Sequence, residues 1–173
     1  MTRLIALLSA IAVAAALRLV PHPPNFSPID AMALFSGAYL GRRALAFAAP
    51  LGAMLLSDLI LGFYPGVWIT YLAIAVVVPI GWVVLQRRSP LRIGLAAIAS
   101  SVAFFLISNF GTWALSGIYS HSMAGLSACY LAAIPFFQNT VAGDLFYGVL
   151  LFGGFTLTER VAPRLRAGAA LPA

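Results

Sequence analysis

Charged residues are scarce in this sequence: Asp, Glu, Lys and Arg together make up only 8% of its 173 residues. In a typical soluble domain about a quarter of the residues are charged. Hydrophobic residues account for 62% of the chain, and its mean hydropathy is +1.02. This composition excludes an ordinary soluble domain and predicts an integral membrane protein. Because a spanning helix takes about 20 residues, the chain has room for about five or six spans and little else.

Lysine is absent, and ten arginines against four acids give a net charge of +6. In a soluble protein such an excess would suggest a nucleic-acid partner. Here the arginines fall at the ends of apolar runs, so membrane topology explains them better, and no nucleic-acid partner is predicted. The single cysteine, Cys129, excludes an intrachain disulfide.

Catalytic signatures are also missing from the sequence. It has no Gly-x-Ser-x-Gly elbow, no His-Glu-x-x-His zinc helix and no glycine-rich phosphate loop. The chain is therefore not predicted to be an enzyme, and no cofactor is expected. It also has no ATPase motif, so active transport would need another subunit or an existing gradient.

Six apolar segments emerge when the chain is divided at charges, prolines and glycines. They predict an all-α fold, a six-transmembrane-helix bundle that forms a single integral membrane domain over residues 1–173. The second segment is short, but Ser27 suits a helix cap and Pro28 a first helical position. Residues 129–140 are predicted to form a separate short helix over the end of the bundle. The approximate spans are 4–20, 28–40, 44–61, 67–85, 91–115 and 141–158, followed by a basic tail over 159–173.

Cytoplasmic loops are enriched in basic residues, so the arginines predict the orientation. With alternating spans, nine of the ten arginines fall on one side, and only Arg18 falls on the other. Both termini and the basic tail are therefore predicted to be cytoplasmic, in a multi-pass membrane protein. The nine are Arg3, Arg42, Arg43, Arg87, Arg88, Arg92, Arg160, Arg164 and Arg166.

The first segment has a second interpretation. A basic start, an apolar stretch and small residues near Ala14 and Ala16 are also typical of a secretory signal peptide. Cleavage would leave five spans and an outside N-terminus, with the other arginines still cytoplasmic.

Polar and aromatic residues concentrate at the predicted outer end of the spans. Ionisable groups inside spans are costly and usually face a cavity or a partner, so this end is predicted to form an outward-opening site for a polar small molecule. Simpler roles stay open: Asp30 as a helix-start residue, Arg18 as an interfacial residue or a partner of Asp30 or Asp58, and the aromatic residues as an interfacial belt. The predicted substrate-binding residues are Asn25, Asp58, Trp68, Tyr71, Asn109, Trp113, Asn139 and Asp144.

Two further patterns admit two interpretations each. Ala6, Ala10 and Ala14 recur at every fourth position of the first segment, a spacing that lets a second helix approach closely, either within the same bundle or from a partner. Cys129 and His121 could ligate a metal, but without a ligand spacing a buried structural cysteine is the commoner case, and no metal site is predicted.

The stretches "PNFSPIDAMALFSGAYLG" and "APLGAMLLSDLILGFYPG" look like those of an uncharacterised bacterial membrane family of putative transport proteins. That family is related to the substrate-binding S components of energy-coupling factor transporters, which the whole pattern resembles over most of residues 1–160. The resemblance implies a six-helix protein of the bacterial cytoplasmic (inner) membrane, an outward pocket for a vitamin-like nutrient, and docking to a coupling protein driven by two ATPases. It makes Ala6, Ala10 and Ala14 the partner-docking stripe and the first loop a gate formed by Pro21, His22, Pro23, Pro24, Asn25 and Phe26.

The predicted function is therefore uptake of a small nutrient or cofactor precursor from the outer side, in contact with membrane lipid and a small-molecule ligand. A small membrane enzyme, or an assembly subunit of a membrane complex that uses the same outer cavity, is the alternative. The short second segment and the lack of a known vitamin signature leave the substrate unidentified.

Overall fold

The computed structural model of the chain describes residues 2–85 and 88–165. In this part of the chain every regular element is helical and no strand occurs, which confirms the all-α prediction. Arg87 and residues 166–173 of the predicted basic tail, with Arg166, lie outside the described residues, whereas the first part of that tail, residues 159–165, is described. The helices are α1 (Thr2–Leu17), α2 (Ile29–Leu40), α3 (Ala44–Leu61), α4 (Val67–Leu85), α5 (Pro90–Leu115), α6 (Met123–Gly148) and α7 (Gly154–Val161), with a π-helical turn (Val149–Gly153) between the last two and a 3₁₀ turn (Pro163–Leu165) after them.

Four helical segments are long and apolar enough to cross a membrane, judged by their length and composition. They are α3, α4, α5 and the continuous stretch Met123–Val161, whereas α1 and α2 are apolar but shorter. Large apolar side chains such as Leu56, Leu59 and Ile60 are exposed on the surface of α3, where lipid tails can cover them. The chain therefore has the apolar helices of a membrane protein.

Helix α2 lies at the centre of the bundle. All twelve of its residues are buried, and it contacts α1, α3, α4, α5 and α6. A helix surrounded on every side has no need of a polar face, which is why its sequence, IDAMALFSGAYL, is apolar apart from the buried Asp30 and Ser36. The short second segment is thus the central helix of the fold.

Close contact between α2 and α4 depends on two glycines. A Cβ added to Gly37 would lie 2.0 Å from the carbonyl oxygen of Val78, and one added to Gly81 would lie 2.4 Å from the carbonyl oxygen of Leu34. Such small residues at a crossing let membrane helices pack backbone against backbone. This contact holds the central helix in place.

The start of α2 differs from the prediction. The helix begins at Ile29, and the carbonyl of Pro28 accepts the hydrogen bond from the amide of Met32, so Pro28 occupies the cap position predicted for Ser27. No side chain caps this end. Ser27 therefore belongs to the loop that precedes the helix, and Asp30 lies in the first turn.

The prediction of a separate short helix over residues 129–140 is wrong. Residues 123–161 form one continuous helical stretch that includes Pro135 and the π-helical turn. Proline is tolerated inside membrane helices when the freed backbone groups find other partners. The length of the apolar run predicts a separate helix, but α6 includes the run by extending over 26 residues. Within α6 the Thr140 hydroxyl donates to the carbonyl of Phe136, and the Asn139 amide donates to the carbonyl of Pro24 in the preceding loop.

Arginines gather at one end of the bundle, where the described part of the chain both begins and ends. Arg3 forms a 3.0 Å salt bridge with Glu159, and its guanidinium also lies over the ring of Tyr39. Arg88 lies over the same ring, with 4.1 Å between its Cζ and the ring centroid. Arg42 lies over the ring of Trp82 at this end. The loops after α1, α3 and α5 occupy the opposite end.

The alanine stripe of α1 faces its own bundle. Ala14 is buried together with Leu7 and Ile11, while Ala6 and Ala10 pack against the core. The stripe therefore packs within the bundle, one of the two alternatives for this pattern, while Ala6 and Ala10 stay half-buried and docking of a partner chain on the stripe stays a prediction.

Candidate functional site

Two adjoining cavities open at the end of the bundle away from the arginines. The larger, called the wide cavity, has a volume of about 600 Å³ and walls that include Ile69, Phe104, Phe105, Ser108, Asn109 and Phe136. The smaller, called the acidic pocket, has a volume of about 190 Å³ and walls that include Ser27, Asp30, Met54, Thr140 and Asp144. Asn25, Tyr64, Thr70 and Phe104 line both. A ligand could therefore occupy the two cavities at once.

The loop between α1 and α2, residues 21–28 and called the covering loop, lies against α6. The Asn139 side-chain amide donates a 2.9 Å hydrogen bond to the carbonyl of Pro24, and the ring of Phe26 packs on those of Phe146 and Tyr147 with 5.6 Å between centroids. Gly143 permits this approach, because a Cβ there would lie 3.2 Å from the Phe26 backbone. His22, Asn25 and Ser27 of the loop line the acidic pocket. The loop thus has the position that the gate prediction requires, although its movement stays a prediction.

An ion pair beside the acidic pocket joins Arg18, the residue that follows α1, to Asp58 of α3, and a hydrogen bond links Asp58 to α4. The Arg18 guanidinium donates to the carboxylate of Asp58 and to the hydroxyl of Ser57, and Tyr71 donates to the other carboxylate oxygen of Asp58 at 2.8 Å. The side chain of Asp58 is 1% exposed and that of Arg18 13%. Arg18 therefore pairs with Asp58, one of the alternatives left open by the sequence, and its charge is neutralised.

Asp30 and Asp144 are the two acids that line the acidic pocket. Asp30 is 4% exposed, and one of its carboxylate oxygens is buried with no hydrogen-bond partner among the described residues. Asp144 is 1% exposed and accepts a hydrogen bond from the hydroxyl of Ser101 on α5. The described residues contain no salt bridge to either carboxylate. The pocket therefore holds two buried carboxyl groups that lack a basic partner.

Three of the eight predicted substrate-binding residues line these cavities: Asn25, Asn109 and Asp144. The side-chain amide of Asn109 donates to the carbonyl of Phe105 on its own helix, at 2.8 Å, which leaves its oxygen available for other contacts. Whether these residues bind a substrate stays a prediction.

The other five lie outside both cavities. Asp58 and Tyr71 belong to the ion pair with Arg18, and Asn139 holds the covering loop. Trp68 is exposed on the surface, and the indole N–H of Trp113 donates to the carbonyl of Ser120 at 3.0 Å. Their positions favour structural or interfacial roles.

Cys129 and His121 are not brought together as metal ligands. The thiol of Cys129 is buried and donates to the carbonyl of Asn109 at 3.4 Å, while the ring of His121 packs edge-on against that of Trp113. Among the described residues no group of three or more His, Cys, Asp or Glu side chains could hold a metal ion. The arrangement favours the structural interpretation of Cys129.

Sequence reasoning missed several residues of the site. Asp30 was interpreted as a helix-start residue, and Thr70, Phe104 and Phe136 carried no signal because they resemble any other residue of an apolar helix. Thr140 was visible one turn before Asp144, a spacing that puts both on one face. An acid in the first turn of an otherwise almost wholly apolar segment is the sequence signal that could have identified Asp30.

A third cavity, called the lateral groove, runs along the outside of the bundle between α5 and the helical stretch Met123–Val161. It has a volume of about 700 Å³ and mainly apolar walls, with Arg88 and Arg160 at one end. Asp144 lines this groove as well as the acidic pocket. The side chain of Asp144 therefore lies between the lateral groove and the acidic pocket.

Residues 1–165 match the sequence profile of a family of unknown function, DUF6580. The chain belongs to the DUF6580 family. No curated protein and no solved structure matches it. Membership fixes no activity for this DUF6580 protein, so a function has to be inferred from the site itself.

Proposed function

We propose that this DUF6580 protein binds a small nutrient, such as a vitamin-like compound or a cofactor precursor, in the wide cavity and the acidic pocket and takes part in its uptake. The observation that carries the proposal is a two-part cavity at one end of an apolar bundle, covered by an ordered loop. A concave site with apolar walls and a few convergent polar groups is typical of small-molecule binding. The resemblance to S components favours transport over the alternatives of a membrane enzyme or an assembly subunit.

Six crossings with both termini in the cytoplasm of a bacterium are part of the proposal. Arg3, Arg42, Arg88 and Arg160 lie at one end of the bundle, and cytoplasmic ends are enriched in basic residues. The opposite end, with the covering loop, then faces outward. Helices α1 and α2 cross in this arrangement although they are short, because α1 is flanked by arginines at both ends and α2 is enclosed by its neighbours.

The orientation can be tested by cysteine labelling. In a Cys129→Ser background, Pro24→Cys should react with a membrane-impermeant maleimide on intact cells, whereas Arg42→Cys should react only after the membrane is opened. The opposite pattern would place the cavities on the cytoplasmic side and would end the uptake proposal in this form.

The binding function can be tested on the purified protein. Mass spectrometry of the protein extracted in a mild detergent should find a copurified small molecule, and the same compound should raise the melting temperature and enter proteoliposomes or cells that contain the protein. A compound that leaves chemically altered would indicate an enzyme. A constant partner chain with empty cavities would indicate an assembly subunit.

A coupling protein with two ATPases is proposed as the partner on the strength of the resemblance. Docking would use the half-buried Ala6 and Ala10 of the alanine stripe together with the exposed side of α1, which carries Leu4, Ile5 and Val13. Copurification from native membranes tests this, and Val13→Arg should abolish it. Uptake that persists in a host lacking such ATPases would show that the protein works alone.

A further inference from the structure

The acidic pocket has more negative than positive charge available to a ligand. Asp30 from α2 and Asp144 from α6 contribute two carboxyl groups, and the elements around them contribute hydroxyls, from Thr140 of α6 and Ser101 of α5. The basic groups nearby are Arg18 and His22, which also line the pocket. The contacts that Arg18 and His22 make with other residues therefore determine which ligands the pocket can bind.

Neither basic group neutralises the two acids. The Arg18 guanidinium donates to Asp58 and Ser57, and the Nδ1 atom of His22 lies 3.0 Å from the carbonyl of Pro23. Asp30 keeps one buried oxygen without a partner among the described residues. A carboxylate held inside an apolar bundle is costly unless a counter-charge or a proton compensates it.

The wide cavity next to it has a different chemistry. Phe104, Phe105 and Phe136 supply aromatic walls, and the groups that face it around Asn109 are uncharged. Aromatic rings bind flat apolar groups and also attract cations. The combined site is therefore acidic at its narrow part and aromatic at its wide part.

We propose that the site binds a small organic amine, with its ammonium group between Asp30 and Asp144 and its aromatic or apolar body in the wide cavity. This inference rests on the proposed function and names its substrate class. An ammonium group supplies three hydrogen-bond donors and one positive charge, which matches two carboxyl groups with an unpartnered oxygen. A metal ion fits less well, since two carboxyl groups and hydroxyls provide few ligands and the aromatic walls would have no role.

Three ligands of nearly equal shape test the charge preference directly. The melting temperature of the wild-type protein in detergent is measured with 2-phenylethylammonium chloride, with the neutral 2-phenylethanol and with sodium phenylacetate. The ammonium compound should stabilise the protein most, and its dissociation constant should be about ten- to a hundredfold lower than that of the alcohol. Equal or tighter binding of the alcohol or the anion, or no stabilisation by the amine, would overturn the proposal.

Two aspartate variants then test which side chains cause the preference for the amine over the alcohol. Asp30→Asn and Asp144→Asn keep the side-chain shape and should each reduce the ratio of the affinity for the amine to that for the alcohol about tenfold. Glu159→Gln removes an acid at the other end of the bundle and should leave both affinities as they are. An advantage that survives both aspartate changes would place the cation elsewhere and contradict the proposal.

The two proposals can fail separately. If the alcohol binds as well as the amine, the protein still has a small-molecule site, and only the substrate class is wrong. If the amine binds with the expected preference but neither it nor the copurified compound is taken up, the substrate class stands and the transport function is wrong.

Discussion

Charged side chains differ in burial and in pairing between the two ends of the bundle. At the arginine end, each charged side chain with a described contact lies at the surface on a carboxylate or an aromatic ring, as in the Arg3–Glu159 pair, whose side chains are 23% and 17% exposed. At the cavity end, the charges are buried. One pair, Arg18 with Asp58, is complete, whereas Asp30 and Asp144 have no basic partner among the described residues.

This difference separates charges that serve topology from charges that serve a site. Surface arginines stay hydrated and therefore reduce the folding stability little, and they determine which side of the membrane a loop occupies. Buried carboxyl groups without a counter-ion lower stability, so they persist where they have another use. The complete pair beside them shows that the fold can neutralise an acid at this depth.

Breaking the buried pair should have the largest effect. Arg18→Met would leave the carboxylate of Asp58 uncompensated in the interior, and we expect it to lower the free energy of unfolding by about 3–5 kcal/mol. Reversible unfolding in mixtures of SDS and a mild detergent measures this. Arg3→Met at the other end is the matched control and should cost about 1 kcal/mol or less.

A second variant distinguishes lost charge pairing from lost packing. Arg18→Met combined with Asp58→Leu removes both charges and should recover most of the stability, because an apolar pair can replace a buried ion pair. Equal losses for Arg18→Met and Arg3→Met would mean that the two ends do not differ in this way.

Removing an acid that has no basic partner among the described residues should raise the free energy of unfolding instead of lowering it. Asp30→Asn eliminates a buried carboxyl group that repels Asp144, so we expect the ligand-free protein to become more stable by about 1–3 kcal/mol. Asp58→Asn, which weakens a completed pair, is the control and should destabilise. The same unfolding assay measures both, and destabilisation by Asp30→Asn would indicate that Asp30 has a partner in the native protein.

The sequence predicted the helical class and the segregation of arginines, since both follow from composition and from runs of apolar residues. It could not reveal that α2 is the central helix, because an apolar segment looks the same whether lipid or protein surrounds it. The length of the apolar run over 129–140 predicted a separate helix, yet α6 continues through it, and its Asn139 donates a hydrogen bond to the covering loop. Asp144 was identified by its depth, whereas Asp30 was obscured by its place in a first turn.

Loosening the covering loop should have a smaller effect. Asn139→Ala removes the hydrogen bond to the Pro24 carbonyl and should cost about 1 kcal/mol, concentrated in the loop. Hydrogen exchange of residues 21–28 should become faster, and ligand association should accelerate if the loop is a gate. Asn109→Ala, which removes an amide bonded within its own helix, should leave loop exchange unchanged. Unchanged loop exchange in Asn139→Ala would mean that Phe26 alone holds the loop.

The smallest effect is expected at the arginine end. Glu159→Gln removes the charge that pairs with Arg3, and because both side chains are partly exposed the loss should be about 0.5 kcal/mol. It should disappear at about 1 M salt, where the screening length falls to about 3 Å. The penalty of Arg18→Met should persist there, because a buried charge is poorly screened. A salt-insensitive loss for Glu159→Gln as large as that of Arg18→Met would remove the distinction between the two ends, and with it the reason to regard Asp30 and Asp144 as exceptional.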